Sequence, residues 1–200
     1  MITLTARILV GAFLIAMGTQ AFAQQSMRIK GTVEKFDGNM LTVKAADGAS
    51  TNITLTDKLV VVGVVKASLD EIKEGSYVGS AAMPQVDGTQ KALEVHIFAE
   101  SQRGTGEGHR PYTVPNSTMT NGTVGATVTG NDGNMLTVKY KEGEKKIVVP
   151  PGTPIVRYEI GDKSELTPGA QVALLNVVKQ PDGSLQGARV NVGRGGLVPQ

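Results

Sequence analysis

The stretch DGNMLTVK at residues 37–44 recurs unchanged at residues 132–139, which is 95 positions further along a chain of 200 residues. Eight identical residues indicate an internal duplication, the first feature to establish before a fold is assigned. In each copy an Asp-Gly pair precedes a run that alternates apolar with polar residues, a pattern typical of a hairpin leading into a half-buried strand. The sequence therefore predicts two copies of one small β unit.

The two copies also share the order of their later segments. SLDEIKEGSYV at residues 68–78 corresponds to SELTPGAQV at residues 164–172, and a further Asp-Gly pair with a terminal strand follows in each. Strand-like runs separated by Gly, Asp, Asn and Pro fill most of the chain, and helix is confined to one turn near residues 68–72. We predict an all-β protein of two tandem small OB-like β-barrels, with SH3-like barrels as the alternative, each with at most one short helical turn.

The expected organisation has five parts. Residues 1–23 are predicted to form a Sec-type signal peptide, because one cation, a short apolar stretch and Ala21-Phe22-Ala23 precede a cleavage point before Gln24. Barrel repeats are expected at residues 27–100 and 119–194, each large enough for a small core of its own. A Gly/Pro-rich spacer occupies residues 101–118, and residues 195–200 form a C-terminal tail. The leader predicts a periplasmic protein with no integral membrane segment after cleavage.

Composition excludes several function classes. The chain has no cysteine, which excludes disulfides, thiolate metal sites and thiol nucleophiles. Its 20 Lys and Arg nearly balance 18 Asp and Glu, which argues against nucleic acid, since such binding requires concentrated positive charge. There is no GxSxG elbow. We predict a noncatalytic protein without a cofactor.

Five Asp-Gly pairs begin at residues 37, 47, 87, 132 and 182 and lie between apolar runs. Asp-Gly supplies the positive φ angles that a two-residue type I′ turn requires. None of the pairs has the spacing of acidic residues and the distal Glu of an EF-hand loop. We therefore expect hairpin turns at these positions and not calcium loops.

The spacer holds the strongest candidates for a binding site. Within SQRGTGEGHRPYTVPN at residues 101–116, opposite charges, a titratable ring and an aromatic ring come from Arg103, Glu107, His109, Arg110 and Tyr112. A flexible linker is the simplest interpretation of a glycine-rich segment. The mixture of side chains also suits an ordered strap that binds an unknown envelope protein, peptide or glycan.

A metal-handling accessory role is the alternative function. It would use His109 and Glu107 of the spacer and, as a third weak candidate, His96. His96 alternates with Val95 and Ile97 on a predicted strand, so we expect its side chain to face solvent.

The motifs GTVEKFDGNMLTVKAADG, SLDEIKEGSYV and DGTQKALEVHIF together resemble a family of bacterial exported OB-like β-barrel domains of unknown function. The resemblance covers residues 29–99 and, less completely, residues 121–193. The spacer GTGEGHRPY is similar to that of duplicated proteins from alphaproteobacteria. The resemblance implies an exported barrel protein. Some relatives carry metal-transport labels, but the family supplies no catalytic or ligand-binding residues to transfer.

Overall fold

The computed structural model describes residues 26–130 and 133–199, so the predicted signal peptide and its cleavage point lie outside the described residues. Strands account for most of this part of the chain, with 3-10 turns at Leu69–Glu71, Glu100–Gln102 and Lys163–Glu165. The strands are β1 Ser26–Asp37, β2 Met40–Lys44, β3 Ser50–Lys66, β4 Tyr77–Pro84, β5 Gln90–Ile97, β6 Gly108–Pro111, β7 Thr118–Gly130, β8 Gly133–Tyr140, β9 Gly143–Val149, β10 Ile155–Ile160, β11 Gln171–Lys179 and β12 Leu185–Gly193. The predicted all-β barrel class is confirmed.

Hydrogen-bonded strand pairs close two rings of five strands. The first barrel runs β1-β2-β3-β12-β11 and returns to β1, and the second runs β7-β8-β9-β5-β4 and returns to β7. In each ring one parallel pair, β3 with β12 or β9 with β5, closes an otherwise antiparallel barrel. Both rings therefore have the same strand order, as expected for two copies of one OB-like unit.

Each barrel takes three strands from one copy and two from the other. We expected one barrel within residues 27–100 and the other within residues 119–194. The strand pairing shows that this is wrong, because each of these ranges contributes strands to both barrels. The reason lies in β3, which continues for 17 residues without reversing. It carries the chain out of the first barrel, and the hairpin β4-β5 pairs with the second copy's strands instead of with β1.

The buried side chains show the same exchange. The first core contains Val33 and Leu41 from one copy together with Leu174 and Val190 from the other, and Leu166 beside the last 3-10 turn packs among them. In the second core, Ile72 beside the first 3-10 turn lies with buried residues of both copies, among them Val78, Val95, Leu136, Val138 and Ile147. The one-turn segments are thus exchanged together with the hairpins.

A continuous sheet of β12, β3, β10 and β5 joins the barrels, because β10 pairs with β3 on one side and with β5 on the other. In the β3-β10 register, Val62 faces Ile160, Val64 faces Tyr158 and Lys66 faces Val156. This pairing is unchanged when the two copies are interchanged, so a pseudo-two-fold axis passes between Val64 and Tyr158. Around it lies a third buried cluster of Val62, Val64, Tyr77, Phe98, Val156 and Tyr158.

The Asp-Gly pairs that begin at residues 37, 47, 87 and 182 lie in hairpin loops, but not in type I′ turns, because only one residue of each loop has a positive φ. Between β1 and β2 the two-residue turn is Gly38-Asn39, and only Gly38 has a positive φ. In the β4-β5 loop only Gly88 does, and the Asp87 carboxylate accepts a hydrogen bond from the Thr89 backbone N–H at 2.9 Å. A two-residue turn with a positive φ only at its first residue, here Gly38, is the type II′ pattern, whereas a positive φ at Gly88 alone fits a longer loop that ends in a bulge. The pair beginning at residue 132 is only partly within the described residues.

No helix in the described part of the chain is long and apolar enough to cross a membrane.

Candidate functional site

The spacer follows a defined path along the outside of the second barrel. Strand β6 pairs antiparallel with β7, which places His109 opposite Thr120. The Asn121 amide donates to the Thr105 carbonyl at 3.0 Å, and the Arg103 guanidinium donates to the Gly75 carbonyl at 2.8 Å. The spacer, called the strap below, is therefore hydrogen-bonded to the second barrel, and its binding of a partner stays a prediction.

Three of the spacer's candidate residues make bonds that hold the strap in place. The Glu107 carboxylate accepts from the Lys141 backbone N–H at 3.0 Å, and Arg110 donates to the Gly106 carbonyl at 2.6 Å. His109 Nδ1 lies 2.8 Å from the Thr120 hydroxyl, and burial together with nearby Lys145 lowers its pKa. These side chains border an open groove of about 410 Å³ on the barrel's outer face.

His96 is buried, with 5% of its surface exposed, so the expectation that it faces solvent is wrong. Its ring stacks on Tyr158 at 4.8 Å between centroids and meets the edge of Phe98 at 5.0 Å. Because the central sheet is covered on this side as well, alternation along the strand does not separate core from solvent here. In the part of the chain that the structure describes, no group of three or more His, Asp or Glu side chains is arranged to hold a metal ion.

A cleft of about 420 Å³ lies between the barrels. Val64, Val156, Tyr158 and Asn191 of the central sheet line the cleft. The other lining residues come from β1, β4 and β5, from the spacer segment 112–114, from Pro154 and from the tail segment 197–199. The volume is within the range of roughly 300–1,000 Å³ that is typical of small-molecule sites.

Two donors at the polar part of the cleft are fixed by their neighbours. Arg28 of β1 donates to the Tyr112 hydroxyl at 2.6 Å and lies 5.2 Å from the centre of that ring. Asn191 of β12 is 1% exposed, and its Oδ1 accepts from Arg189 Nε at 3.2 Å. Its Nδ2 has no hydrogen-bond partner among the described residues. A buried N–H₂ group without a partner costs about 1–3 kcal/mol.

The charges that line the cleft are of both signs. Arg28 and Lys30 of β1 and Glu94 of β5 are the charged side chains among the described lining residues. Burial and the neighbouring Arg28 lower the pKa of Lys30, while Glu94 acts in the opposite direction. Burial, reinforced by Glu94, raises the pKa of Tyr158, so its phenol remains protonated at neutral pH.

The tail reaches the cleft through a tight glycine turn. Gly195 and Gly196 have φ angles of 61° and 79°, a region that L-side chains rarely adopt. A Cβ atom at Gly193 would lie 1.7 Å from the Leu197 carbonyl oxygen, so the chain folds back directly over this glycine. The preceding Arg194 donates to the Glu165 carboxylate at 2.8 Å. The tail is therefore bound to the sheet as part of the cleft wall.

Sequence reasoning found Tyr112 but missed Arg28, Asn191 and the tail. Arg189 and Asn191 alternate with Val190 and Val192 along β12, a pattern that indicates a solvent-facing polar side. Nothing in that pattern shows that a second barrel covers the same face.

Comparison with family models, with curated proteins and with solved structures gave no match for this chain. The cleft geometry is therefore the basis for a functional assignment.

Proposed function

We propose that the protein is an exported, noncatalytic binding module that takes an amphipathic ligand into the cleft between its barrels. The observation that carries this proposal is a cavity of about 420 Å³ whose lining joins apolar side chains to Arg28, a cation held by the Tyr112 hydroxyl. Small closed barrels fill their interiors with side chains, so a ligand must bind outside them. Export rests on the predicted leader, and the periplasm is the proposed location.

The groups of the cleft suit holding a ligand. The Tyr112 hydroxyl orients Arg28, so this donor is positioned before a ligand arrives. Binding to donors that are already oriented avoids the entropic cost of ordering them. The metal-handling alternative gains no such support, because His96 is enclosed by Tyr158 and Phe98 while His109 lies on the strap.

The mouth of the cleft is apolar. Leu93 of β5, Val114 of the spacer and Val198 of the tail line the cavity and are 41%, 45% and 55% exposed. Apolar side chains that come together at the surface from three separate segments indicate an interaction site. We infer that the apolar body of the ligand passes between them, with its polar end toward Arg28.

Binding of the fluorescent apolar anion 1-anilinonaphthalene-8-sulfonate tests the proposed site. We expect saturable binding of one probe per wild-type chain, with a fluorescence rise because the probe enters an apolar cavity. Val114→Trp should weaken this binding about tenfold or more, since the larger ring fills the mouth. Val86→Trp is the matched control, because Val86 is fully exposed on the β4-β5 loop and outside the cleft.

Circular dichroism of both variants establishes that they are folded. Equal probe affinity in the wild type, Val114→Trp and Val86→Trp would show that the cleft is not the binding site.

A further inference from the structure

We infer that the C-terminal tail is a displaceable occupant of the cleft, which competes with the apolar part of a ligand for the same surface. This inference rests on the proposed use of the cleft and names how access to it is controlled. It is carried by the position of the tail, by its attachment and by the glycine against which it lies.

The tail covers apolar surface that belongs to the cleft. Leu197 packs against the buried cluster that contains Val64, Val156 and Tyr158, and these three residues also line the cleft. Pro199 is buried and lines the same cavity. A ligand that reached the surface that Leu197 and Pro199 contact would have to take the place of these two side chains.

Apolar packing, and not hydrogen bonding, holds the end of the tail in this position. The Leu197 N–H donates to the Arg194 carbonyl at 3.3 Å, a bond within the glycine turn itself. Among the described residues, no backbone hydrogen bond joins the tail beyond Leu197 to another segment. The spacer segment that lines the same cleft differs, because its Tyr112 hydroxyl accepts a hydrogen bond from Arg28 of β1. A ligand that offers equivalent apolar contact can therefore replace the tail.

The turn before the tail leaves room for this displacement. Gly195 and Gly196 are exposed, and a Cβ atom at either position would meet no neighbouring atom within 4 Å. The backbone N–H of Arg194 donates to the Val64 carbonyl at 2.9 Å, which fixes the chain just before the turn. The two glycines can therefore change conformation and release residues 197–199 while the central sheet stays intact.

The docked position of the tail depends on Gly193 of β12. The three atoms nearest to a Cβ at this position all belong to the tail: the Leu197 carbonyl oxygen at 1.7 Å, the Leu197 carbonyl carbon at 2.8 Å and Pro199 Cδ at 3.0 Å. The φ angle of Gly193 is not positive, so its backbone conformation is open to other residues. Gly193 is not among the described residues that line the cleft. A methyl group here would therefore displace the tail without entering the cavity.

Titration with 1-anilinonaphthalene-8-sulfonate tests this competition. We expect Gly193→Ala, and a chain that stops at Gly196, each to bind the probe about tenfold more tightly than the wild type. A site that is open in only a fraction of chains loses apparent affinity by that fraction, so a tenfold gain corresponds to a tail that is undocked in about one chain in ten. Gly187→Ala in the same strand is the matched control with unchanged affinity, because its methyl group would meet its nearest neighbour at an ordinary 3.4 Å.

Combining the two changes separates displacement of the tail from other effects of the methyl group. In the chain that stops at Gly196, adding Gly193→Ala should change probe affinity less than about twofold, because the atoms that the methyl group displaces are already absent. Circular dichroism establishes that each variant is folded, and the shortened chain retains every strand described above. Should Gly193→Ala fail to fold, the shortened chain alone decides.

Two outcomes separate the failure of this inference from the failure of the proposed site. Unchanged or weaker probe affinity in the chain that stops at Gly196, or in a folded Gly193→Ala variant, would show that the tail is a fixed wall and would overturn its role as a competitor, while the cleft remains a binding site. Undiminished probe binding by Val114→Trp would overturn the site itself.

Discussion

Gly31 and Gly122 occupy the same position in the first strands of the two copies, and neither has room for a side chain. A Cβ atom at Gly31 would lie 2.1 Å from the Lys44 carbonyl oxygen, and one at Gly122 would lie 2.2 Å from that of Lys139. The Gly-Thr-Val motif that recurs in the sequence therefore marks a point where two backbones approach closely. The structure gives the motif a packing reason, and close approach is a use for which glycine is suited.

We predict that Gly31→Ala and Gly122→Ala each lower the free energy of unfolding by about 1–3 kcal/mol, the usual cost of overpacking. The clash is with backbone atoms, which cannot move aside by changing rotamer. Urea denaturation followed by circular dichroism measures the effect. Gly187→Ala is the control, because its new methyl group would meet its nearest neighbour at an ordinary 3.4 Å. A Gly31→Ala variant as stable as Gly187→Ala would contradict the packing role.

The role of some single residues can be predicted from the sequence, whereas the burial of others cannot. The hairpin role of Asp87 was predictable because the residue precedes a glycine between two strands, and its carboxylate accepts from Thr89 in the loop. The burial of His96 and Asn191 was not predictable, because alternation along a strand reports two faces without showing what covers each. Both residues lie on a sheet that is covered on both sides by the barrels and their connections.

At the scale of elements, β3 in the first copy corresponds to β9 and β10 in the second. The second copy interrupts this long strand with Pro150-Pro151 and Pro154, residues that cannot donate to a ladder. In the first copy the pairing of β3 with β12 shifts its register between Leu55 and Val60, at the corresponding place. Both copies therefore bend at one point, and the strand beyond the bend enters the central sheet.

We predict very slow hydrogen exchange for the backbone amides that join β3 to β10. These amides lie within Val62–Lys66 of β3 and Val156–Ile160 of β10 and should be among the slowest of the chain to exchange with solvent. These bonds join the two barrels, so they open only when the barrels separate or unfold. Native-state hydrogen exchange measured by NMR tests this, with β6 as the comparison because within the described residues it pairs with β7 alone. Exchange in β3 and β10 as fast as in β6 would contradict a shared central sheet.

The strands themselves were largely predictable, and their partners were not. Apolar and polar residues alternate in MLTVK, and an Asp-Gly pair lies on either side of it, so the sequence alone locates β2 and its two hairpin loops. Which hairpin completes which barrel depends on how far β3 extends before the chain turns, and periodicity contains no information on that length. The exchange between copies follows from this one element.

For the whole molecule, the pairing pattern makes one barrel continuous in sequence and the other discontinuous. All five strands of the second barrel lie between residues 77 and 149. The first barrel combines residues 26–66 with residues 171–193, so it encloses the second as an insertion. Sequence repeats and folded units therefore have different boundaries.

We predict that a fragment of residues 67–160 folds as a monomer, because it contains every strand of the second barrel. Fragment 27–100 lacks two strands of the first barrel and three of the second, and fragment 119–194 lacks three of the first and two of the second. Neither fragment should therefore form a monomeric barrel. Size-exclusion chromatography and the cooperativity of thermal unfolding by circular dichroism measure the difference. A monomeric, cooperatively unfolding fragment 27–100 would show that the repeats are independent after all.

Because the first barrel encloses the second in sequence, it is the last to complete its strand pairing when the chain is synthesised from its N-terminus. Strands β1, β2 and β3 are made first, but their sheet is closed only by β11 and β12, which are made after all strands of the second barrel. Unpaired strand edges are sites where a second chain can attach. A chain that stops short of residue 185 keeps one finished barrel and a permanently open sheet, so the last strand protects the first ones.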